Sequence, residues 1–233
     1  MEKWKIAVIV ALLAALPAYS YFQSAPPQGP NPETSPTDSP APGKKEAAPP
    51  PAHMQVWWGK KPPSFSFPKN LWANTDKPLK LEELRGNVVL LELWRANCIH
   101  CQEAAPIVES YAERFKGSGL RVVGVHCSAE KGSIEYDWAA VQKAMKTYGI
   151  KYPVAFDEKR TVFDLFKAKK FPTFIVIDRQ GIIRYAHEGM TPELGAELEA
   201  AIKQVLAGKN PSWPPLKREP VEDAATKFAP NAS

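Results

Sequence analysis

The chain has 233 residues, with 30 lysines and arginines against 25 aspartates and glutamates, and a net charge of +5. This length allows one well-packed core with appendages, or two small domains. Acidic and basic side chains are interspersed without a basic stripe, which argues against a protein that binds nucleic acid.

The first 22 residues have the layout of a targeting segment. Two lysines precede an apolar run from Ile6 to Leu16, which is the order of the cationic and apolar regions in a signal sequence. Small residues near position 20 offer a cleavage site, yet the apolar stretch extends to Phe22 and reaches the shortest length that spans a bilayer. Residues 1–22 are therefore predicted to export the chain, either as a cleaved signal sequence or as a retained membrane anchor.

Proline marks the next segment as a linker. Of the 24 prolines, 12 lie between Pro26 and Pro63, and large apolar side chains are nearly absent from residues 23–53. Such a segment buries too little surface to offset its ordering entropy. We predict a Pro-rich linker over residues 23–63, a folded domain over 64–208 and a flexible C-terminal tail over 209–233. Trp57 and Trp58 are expected to pack the linker against the domain.

Within the domain, the hydrophobic pattern alternates between strand and helix periods. Nearly continuous apolar runs are typical of strands covered on both faces. Strands that alternate with crossover helices, closed by a hairpin and a helix, predict an α/β fold with a mixed central sheet between helical layers. In chain order, the predicted elements are a hairpin from SFSF and KPLKL (64–67 and 77–81) with a first helical turn, a strand over Val88–Trp94, a helix over Ile99–Phe115, a strand over 120–126, a helix over 136–148, a strand over 152–156, a short helix over 161–168, a hairpin of 171–178 with 181–187, and a helix over 191–207.

The stretch NCIHC, residues 97–101, carries two thiols three positions apart. A zinc site needs four ligands and the only other thiol is Cys127, so a metal site is disfavoured. A structural disulfide over so short a loop would constrain little of the unfolded chain. The pair lies where a strand passes into a helix, and a helix N-terminus lowers the pKa of a thiol. Cys98 is therefore the predicted nucleophile and Cys101 the resolving thiol, with the Cys98–Cys101 disulfide as the redox centre and no further cofactor.

Other motifs stand at fixed distances from this pair. They are Trp94 before the pair, CIHC itself, Pro106 five residues after it, the strand VVGVH, an inserted helix-strand segment at about 128–158, and FPTFIVIDRQGIIRY. In this combination residues 64–208 resemble the TlpA-like group of thioredoxin-fold thiol-disulfide oxidoreductases. The resemblance implies a thioredoxin-like three-layer α/β/α sandwich with an inserted helix-strand segment.

The resemblance also implies roles for single residues. Glu92 lies six residues before Cys98 in an apolar strand, where a carboxylate is costly unless its pKa rises. In thioredoxins an acid at the matching position takes the proton of the resolving thiol, whereas many TlpA-like relatives have a neutral residue there. The resemblance to thioredoxins implies Glu92 as the general base for Cys101.

The expected substrate-binding residues surround the pair. Pro172 matches the cis-proline of the family, and with Phe171 and Thr173 it would offer its backbone to an extended client. Trp94 and His100 complete this set. A histidine before the second cysteine resembles strongly oxidising relatives, so the direction of electron flow stays open.

The function implied is an exported, periplasmic or membrane-anchored reductase of protein disulfides. It would take electrons from a membrane thiol donor and pass them to client proteins, among them the haem-attachment cysteines of apocytochrome c. Two alternatives remain. One is a peroxiredoxin-like peroxidase, but such an enzyme needs a threonine at the position of Arg95. The other is a copper-delivery module, in which His126 or His187 would bind the metal together with the two thiols. Cys127 is expected to be a buried inert residue or the partner in a second disulfide.

Overall fold

A mixed β-sheet forms the middle layer of the protein. The structure is a computed structural model that describes residues 51–128 and 137–211, and all elements given below lie in these ranges. The strands run in the order β1-β4-β3-β2-β5-β6. The three central strands β2, β3 and β4 are parallel, and the other neighbours pair antiparallel. The strands are β1 (Trp72–Ala73), β2 (Val88–Trp94), β3 (Leu120–Cys127), β4 (Val154–Asp157), β5 (Thr173–Ile177) and β6 (Ile183–Glu188).

Helices cover both faces of the sheet, as the predicted three-layer architecture requires. They are α1 (Ile99–Phe115), α2 (Trp138–Tyr148), α3 (Thr161–Leu165) and α4 (Leu194–Leu206). Local chemistry fixes their ends. Asp137 caps α2 by accepting the Ala139 N–H, and Gly149 ends that helix with a φ of 73° that favours glycine.

Strand β2 is buried along its whole length because it contributes side chains to two cores. One core lies under α1, α2 and α4, and the other under α3 and the segment before β1. Period-2 alternation divides the strand between them. Val88, Leu90 and Trp94 lie in the first core, whereas Val89, Leu91 and Leu93 lie in the second. This two-sided burial explains the nearly continuous apolar run, which within β2 is broken only by Glu92.

Residues 51–63, here called the N-terminal strap, pack on the domain although their composition is that of the linker. The Trp57 indole N–H donates to the Phe166 carbonyl at 3.1 Å, and Met54 is buried. Gly59 N–H donates to the Ile183 carbonyl at 3.0 Å, and Ile183 N–H donates to Lys60 at 2.9 Å. The strap therefore pairs with the edge strand β6, and the expected packing of Trp57 is confirmed.

The predicted hairpin before β2 is wrong. Residues 64–67 and 77–81 form no strands, and the strand in this region is β1, which pairs with β4. The alternating phenylalanines have another cause: Phe65 packs on Phe67 at 5.9 Å, and Phe67 packs on Trp72 at 6.5 Å. The expected helical turn is present as a 3-10 turn over Leu81–Leu84. The later strands, helices and closing hairpin are confirmed, with ends displaced by up to three residues.

Several expectations concern residues outside the described ranges. These are the targeting segment 1–22, the linker before residue 51, part of the inserted segment (129–136) and the tail after residue 211. Among the residues that are described, no helix has the length and apolar character needed to cross a bilayer.

Candidate active site

The cysteine pair lies where β2 passes into α1, as predicted. Cys98 has extended backbone angles and occupies the N-cap, and its carbonyl accepts the first N–H groups of the helix, from Cys101 and Gln102. Both thiols are free, Cys98 half-buried and Cys101 buried. A helix N-terminus thus faces the sulfur that is the more accessible of the two.

The environments of the two sulfurs push their pKa values apart. The Cys101 thiol, the backbone N–H groups of Cys101 and His100, and the charge of His100 together lower the pKa of Cys98 to about 6, against an opposing effect of burial. Burial, the hydrogen bond to Cys98 and the charges of Cys98 and Glu92 raise the pKa of Cys101 well above its usual range. At neutral pH the pair therefore holds one thiolate and one thiol.

Glu92 points into the same core as Cys101 and is 1% exposed. Burial raises the pKa of Glu92 to about 7, a hydrogen bond from Tyr152 opposes this rise, and the charge of Cys98 adds to it. The Tyr152 hydroxyl donates to Glu92 Oε2 at 2.5 Å. A carboxyl that titrates near neutrality within electrostatic range of Cys101 can accept a proton at physiological pH.

Gly124 makes room for this contact. It lies opposite Glu92 on β3, and a Cβ built there would lie 3.1 Å from Tyr152 Cε2, 3.3 Å from Trp94 Nε1 and 3.0 Å from Val154 Cγ2. A side chain at this position would displace the tyrosine ring. Tyr152 was not predicted from the sequence, and the signal for it was a glycine inside the valine-rich strand β3.

The loop before β5 lies beside the thiol pair. Thr173 pairs with Leu93 near the end of β2, which brings the cis Phe171–Pro172 bond to the point where the cysteine loop begins. Phe171 is half-buried and stacks on Phe163 at 4.2 Å. The guanidinium groups of Arg95 and Arg160 lie 5.5 Å and 6.0 Å from the centroid of the Phe171 ring, so two cations border this loop.

The expected substrate-binding residues differ in accessibility. His100 is exposed, and its Nδ1 lies 3.1 Å from Glu103 Oε2. Trp94 is 1% exposed, and Thr173 is fully buried with its hydroxyl donating to the Lys170 carbonyl. In this dithiol form Trp94 and Thr173 therefore offer no side-chain surface to a client. Ile99, next to Cys98, was not among the predicted residues, and its hydrophobic side chain is 62% exposed.

Among the remaining histidines, His126 is buried and His187 is half-buried, and the third thiol is buried. His126 uses Nε2 to accept the Ala96 N–H, and burial lowers the pKa of His187. Within residues 51–128 and 137–211, no three His, Cys, Asp or Glu side chains gather closely enough to hold a metal ion. Cys127 is fully buried, and burial together with the charge of Asp157 raises the pKa of its thiol.

Comparison with known proteins identifies related domains. The chain is 36% identical over 120 residues to the protein DipZ of Mycobacterium bovis, which is 51% of this chain and 17% of DipZ. It is 30% identical over 105 residues to the thiol-disulfide oxidoreductase ResA of Bacillus subtilis, which is 45% of this chain and 55% of ResA. The chain thus spans about a sixth of one relative and about half of the other.

Solved structures agree with the fold. A candidate DsbE thiol:disulfide interchange protein from Chlorobium tepidum superposes with a TM-score of 0.56 at 28% identity, covering 64% of this chain and 97% of that one. A thiol-disulfide isomerase from Corynebacterium glutamicum has a TM-score of 0.54 at 25% identity, with coverages of 62% and 96%. The resemblance to thioredoxin-fold thiol-disulfide oxidoreductases and the fold class are confirmed. The model of the AhpC/TSA family matches residues 58–186, more than half of the chain, and the chain belongs to that family.

Proposed function

We propose that this chain is a thiol-disulfide oxidoreductase that reduces disulfides of exported client proteins through Cys98 and Cys101. One observation carries the proposal: a half-buried sulfur with a pKa of about 6 stands next to a buried sulfur whose pKa is raised. A nucleophile must be ionised and reachable, and a resolving thiol must stay protonated until the client is attached.

The reaction has two exchanges. The Cys98 thiolate attacks one sulfur of the client disulfide, so the client S–S bond breaks, a mixed disulfide forms and the other client sulfur leaves as a thiolate. Glu92 then takes the proton of Cys101, whose thiolate attacks the Cys98 sulfur. The mixed disulfide breaks, the client leaves as a thiolate and Cys98–Cys101 becomes a disulfide. Two electrons pass to the client, and a dithiol donor restores the pair by the same exchange.

Electrostatic coupling supports this order of steps. The charge of Cys98 raises the pKa of Glu92 and contributes to the raised pKa of Cys101. The mixed disulfide removes that charge. Glu92 then ionises and Cys101 loses its proton more easily, but only after a client is bound. Glu92 and Cys101 thus remain largely protonated until the mixed disulfide has formed.

The surface around Cys98 supports a protein client. Ile99 is an exposed apolar side chain, His100 is exposed next to it, and Phe171 is half-buried at the edge of the proline loop. An extended client segment would lie along the backbone beside Pro172. We include the haem-attachment cysteines of apocytochrome c among the clients, a membrane thiol protein as the donor, and export through residues 1–22.

Trapping tests the roles of the two thiols. Cys101→Ala removes the resolving thiol, so mixed disulfides through Cys98 accumulate and migrate as high-mass bands on non-reducing gels. The matched variant Cys98→Ala keeps Cys101, whose thiol is buried, and traps none. Bands that form with Cys98→Ala and not with Cys101→Ala would contradict the assignment.

The reduction potential tests the direction of electron flow. We expect equilibration with glutathione to give a value close to the roughly −270 mV of thioredoxin. A value near the roughly −120 mV of the strongest oxidants would reject the reductase and leave the exchange chemistry intact. A chelator separates the proposed function from copper delivery. A reductase keeps its activity in the presence of the chelator, whereas a copper-delivery module would bind copper and show no reductase activity.

A further inference from the structure

The backbone of one residue in the cysteine loop, Ala96, is held at both its N–H and its carbonyl by side chains of distant elements. The Ala96 N–H donates to His126 Nε2 at 3.0 Å, and the Tyr148 hydroxyl donates to the Ala96 carbonyl at 2.8 Å. His126 lies near the end of β3 and Tyr148 is the last residue of α2. Ala96 is two residues before Cys98. We call this pair of hydrogen bonds the Ala96 clamp.

The histidine can accept this hydrogen bond only in one form. Nε2 must present its lone pair, so the ring is neutral and its proton is on Nδ1. Burial and the charge of Arg95 lower the pKa of His126 to about 3, which keeps the ring neutral over the working range. Aromatic rings fix its orientation: the Trp94 ring meets it edge-on at 5.0 Å, and Phe156 stacks on it at 5.6 Å.

The clamped loop contacts both sulfurs. The Arg95 backbone N–H interacts with Cys101 and opposes the rise of its pKa. The loop then continues to Cys98, whose thiolate depends on the N–H groups of Cys101 and His100 at the start of α1. The Tyr148 hydroxyl is near enough to both sulfurs that their charges help to raise its pKa. A displacement of the Ala96 backbone would therefore change the hydrogen bonds to both thiols.

We propose that His126 and Tyr148 are positioning residues. They hold the N–H and the carbonyl of Ala96 and so keep the Cys98 sulfur at the start of α1, next to the buried Cys101. The inference rests on the proposed function, in which Cys98 is the nucleophile. Neither residue touches the client or exchanges electrons. Each acts through the backbone of the loop.

The experiment compares three variants of the full reduced chain. Tyr148→Phe removes only the hydroxyl, His126→Phe keeps a flat ring without an acceptor, and His126→Gln restores an acceptor. Iodoacetamide alkylation of Cys98, identified by mass spectrometry, is followed from pH 4 to 10. We expect the acid dissociation constant of Cys98 to fall about tenfold in both phenylalanine variants. At pH 6 the thiolate fraction then drops from about a half to about a tenth, so alkylation is about fivefold slower.

Rescue and a remote control separate positioning from ordinary packing. His126→Gln should return most of the wild-type pH profile. Tyr111→Phe removes the same kind of bond, in which the Tyr111 hydroxyl donates to the Gly195 carbonyl at 2.5 Å. Tyr111 lies on α1 ten residues after Cys101. This control should lower the urea midpoint and leave the Cys98 profile unchanged.

Two outcomes overturn the inference. One is a pH profile of Cys98 alkylation in Tyr148→Phe that equals the wild-type profile. This result overturns the inference even if His126→Phe does not fold. The other is an equal change in Tyr111→Phe. Either would leave the proposed function standing as long as wild-type Cys98 has a lowered pKa. An ordinary pKa for Cys98 in the wild-type chain would instead reject the proposed function itself.

Discussion

Tyr152→Phe isolates the contribution of one hydroxyl to the proposed general base. The tyrosine donates to Glu92 Oε2 at 2.5 Å, and both side chains are buried. A hydrogen bond to a charged group contributes about 1.5–3 kcal/mol. Its loss disfavours the ionised carboxylate and lowers the acid dissociation constant of Glu92 by roughly tenfold to hundredfold. The pKa of Glu92, about 7 in the wild type, therefore moves upward.

The rate of the resolving step should follow this change. At pH 7 about half of the wild-type Glu92 is ionised in the dithiol form, and in the variant about a tenth to a hundredth. In the mixed disulfide, which lacks the Cys98 charge, both fractions are higher, so these ratios are the upper bound of the effect. We expect the mixed disulfide between Cys98 and a disulfide-bonded peptide, followed under single-turnover conditions by acid quenching and mass spectrometry, to decay up to about five to fifty times more slowly at pH 7. The deficit should shrink as the pH rises, because a higher pH restores the carboxylate.

A second background makes this result decisive. In Glu92→Gln the base is absent, so adding Tyr152→Phe should not alter the pH dependence further. An unchanged pH profile in Tyr152→Phe alone, or an equal effect in the Glu92→Gln background, would refute the reasoning that the hydroxyl acts through Glu92.

Three further predictions concern stability and reactivity. Because burial raises the pKa of Glu92 from 4.5 to about 7, the folded state holds a proton that the unfolded chain releases in this window, and stability falls as the pH rises through it. Urea unfolding of Glu92→Gln should therefore show a gain over wild type that grows by about 3 kcal/mol from pH 4 to pH 8; a constant difference would contradict it. Gly124→Ala should lose about 1–3 kcal/mol in the same assay, because its Cβ meets Tyr152 and Trp94, and wild-type stability would show that the ring moves freely. Cys127 should resist iodoacetamide until the chain unfolds, and labelling as fast as that of Cys98 in the native protein would refute its burial.

Hydrophobic pattern was sufficient where an element is buried in a regular way. Strand β2 is buried on both faces and α1 on one, so their bounds follow from apolar residues alone. The pattern failed at Phe65 and Phe67, since two rings that pack around a tryptophan have the same spacing as a strand. Short apolar segments do not carry enough periodicity to distinguish the two cases.

The site divides in a similar way. The place of Cys98 and Cys101 at the start of α1 and the raised pKa of a carboxyl at Glu92 could be predicted, because thiol spacing and the cost of a buried carboxylate are local properties. Tyr152 comes 60 residues after Glu92 and lies two residues before β4, and the two meet because the sheet aligns β2 with β3 and β3 with β4. No local pattern encodes such a pairing.

The N-terminal strap has a consequence for how the protein behaves when shortened. A chain that begins at residue 64 would leave the Ile183 N–H and carbonyl without Gly59 and Lys60, at the outer border of the sheet. It would also uncover the carbonyl and ring of Phe166 that Trp57 covers. Unsatisfied strand borders invite pairing between molecules. Such a shortened protein would therefore tend to self-associate through β6, because the N-terminal strap that pairs with β6 in the intact chain is missing.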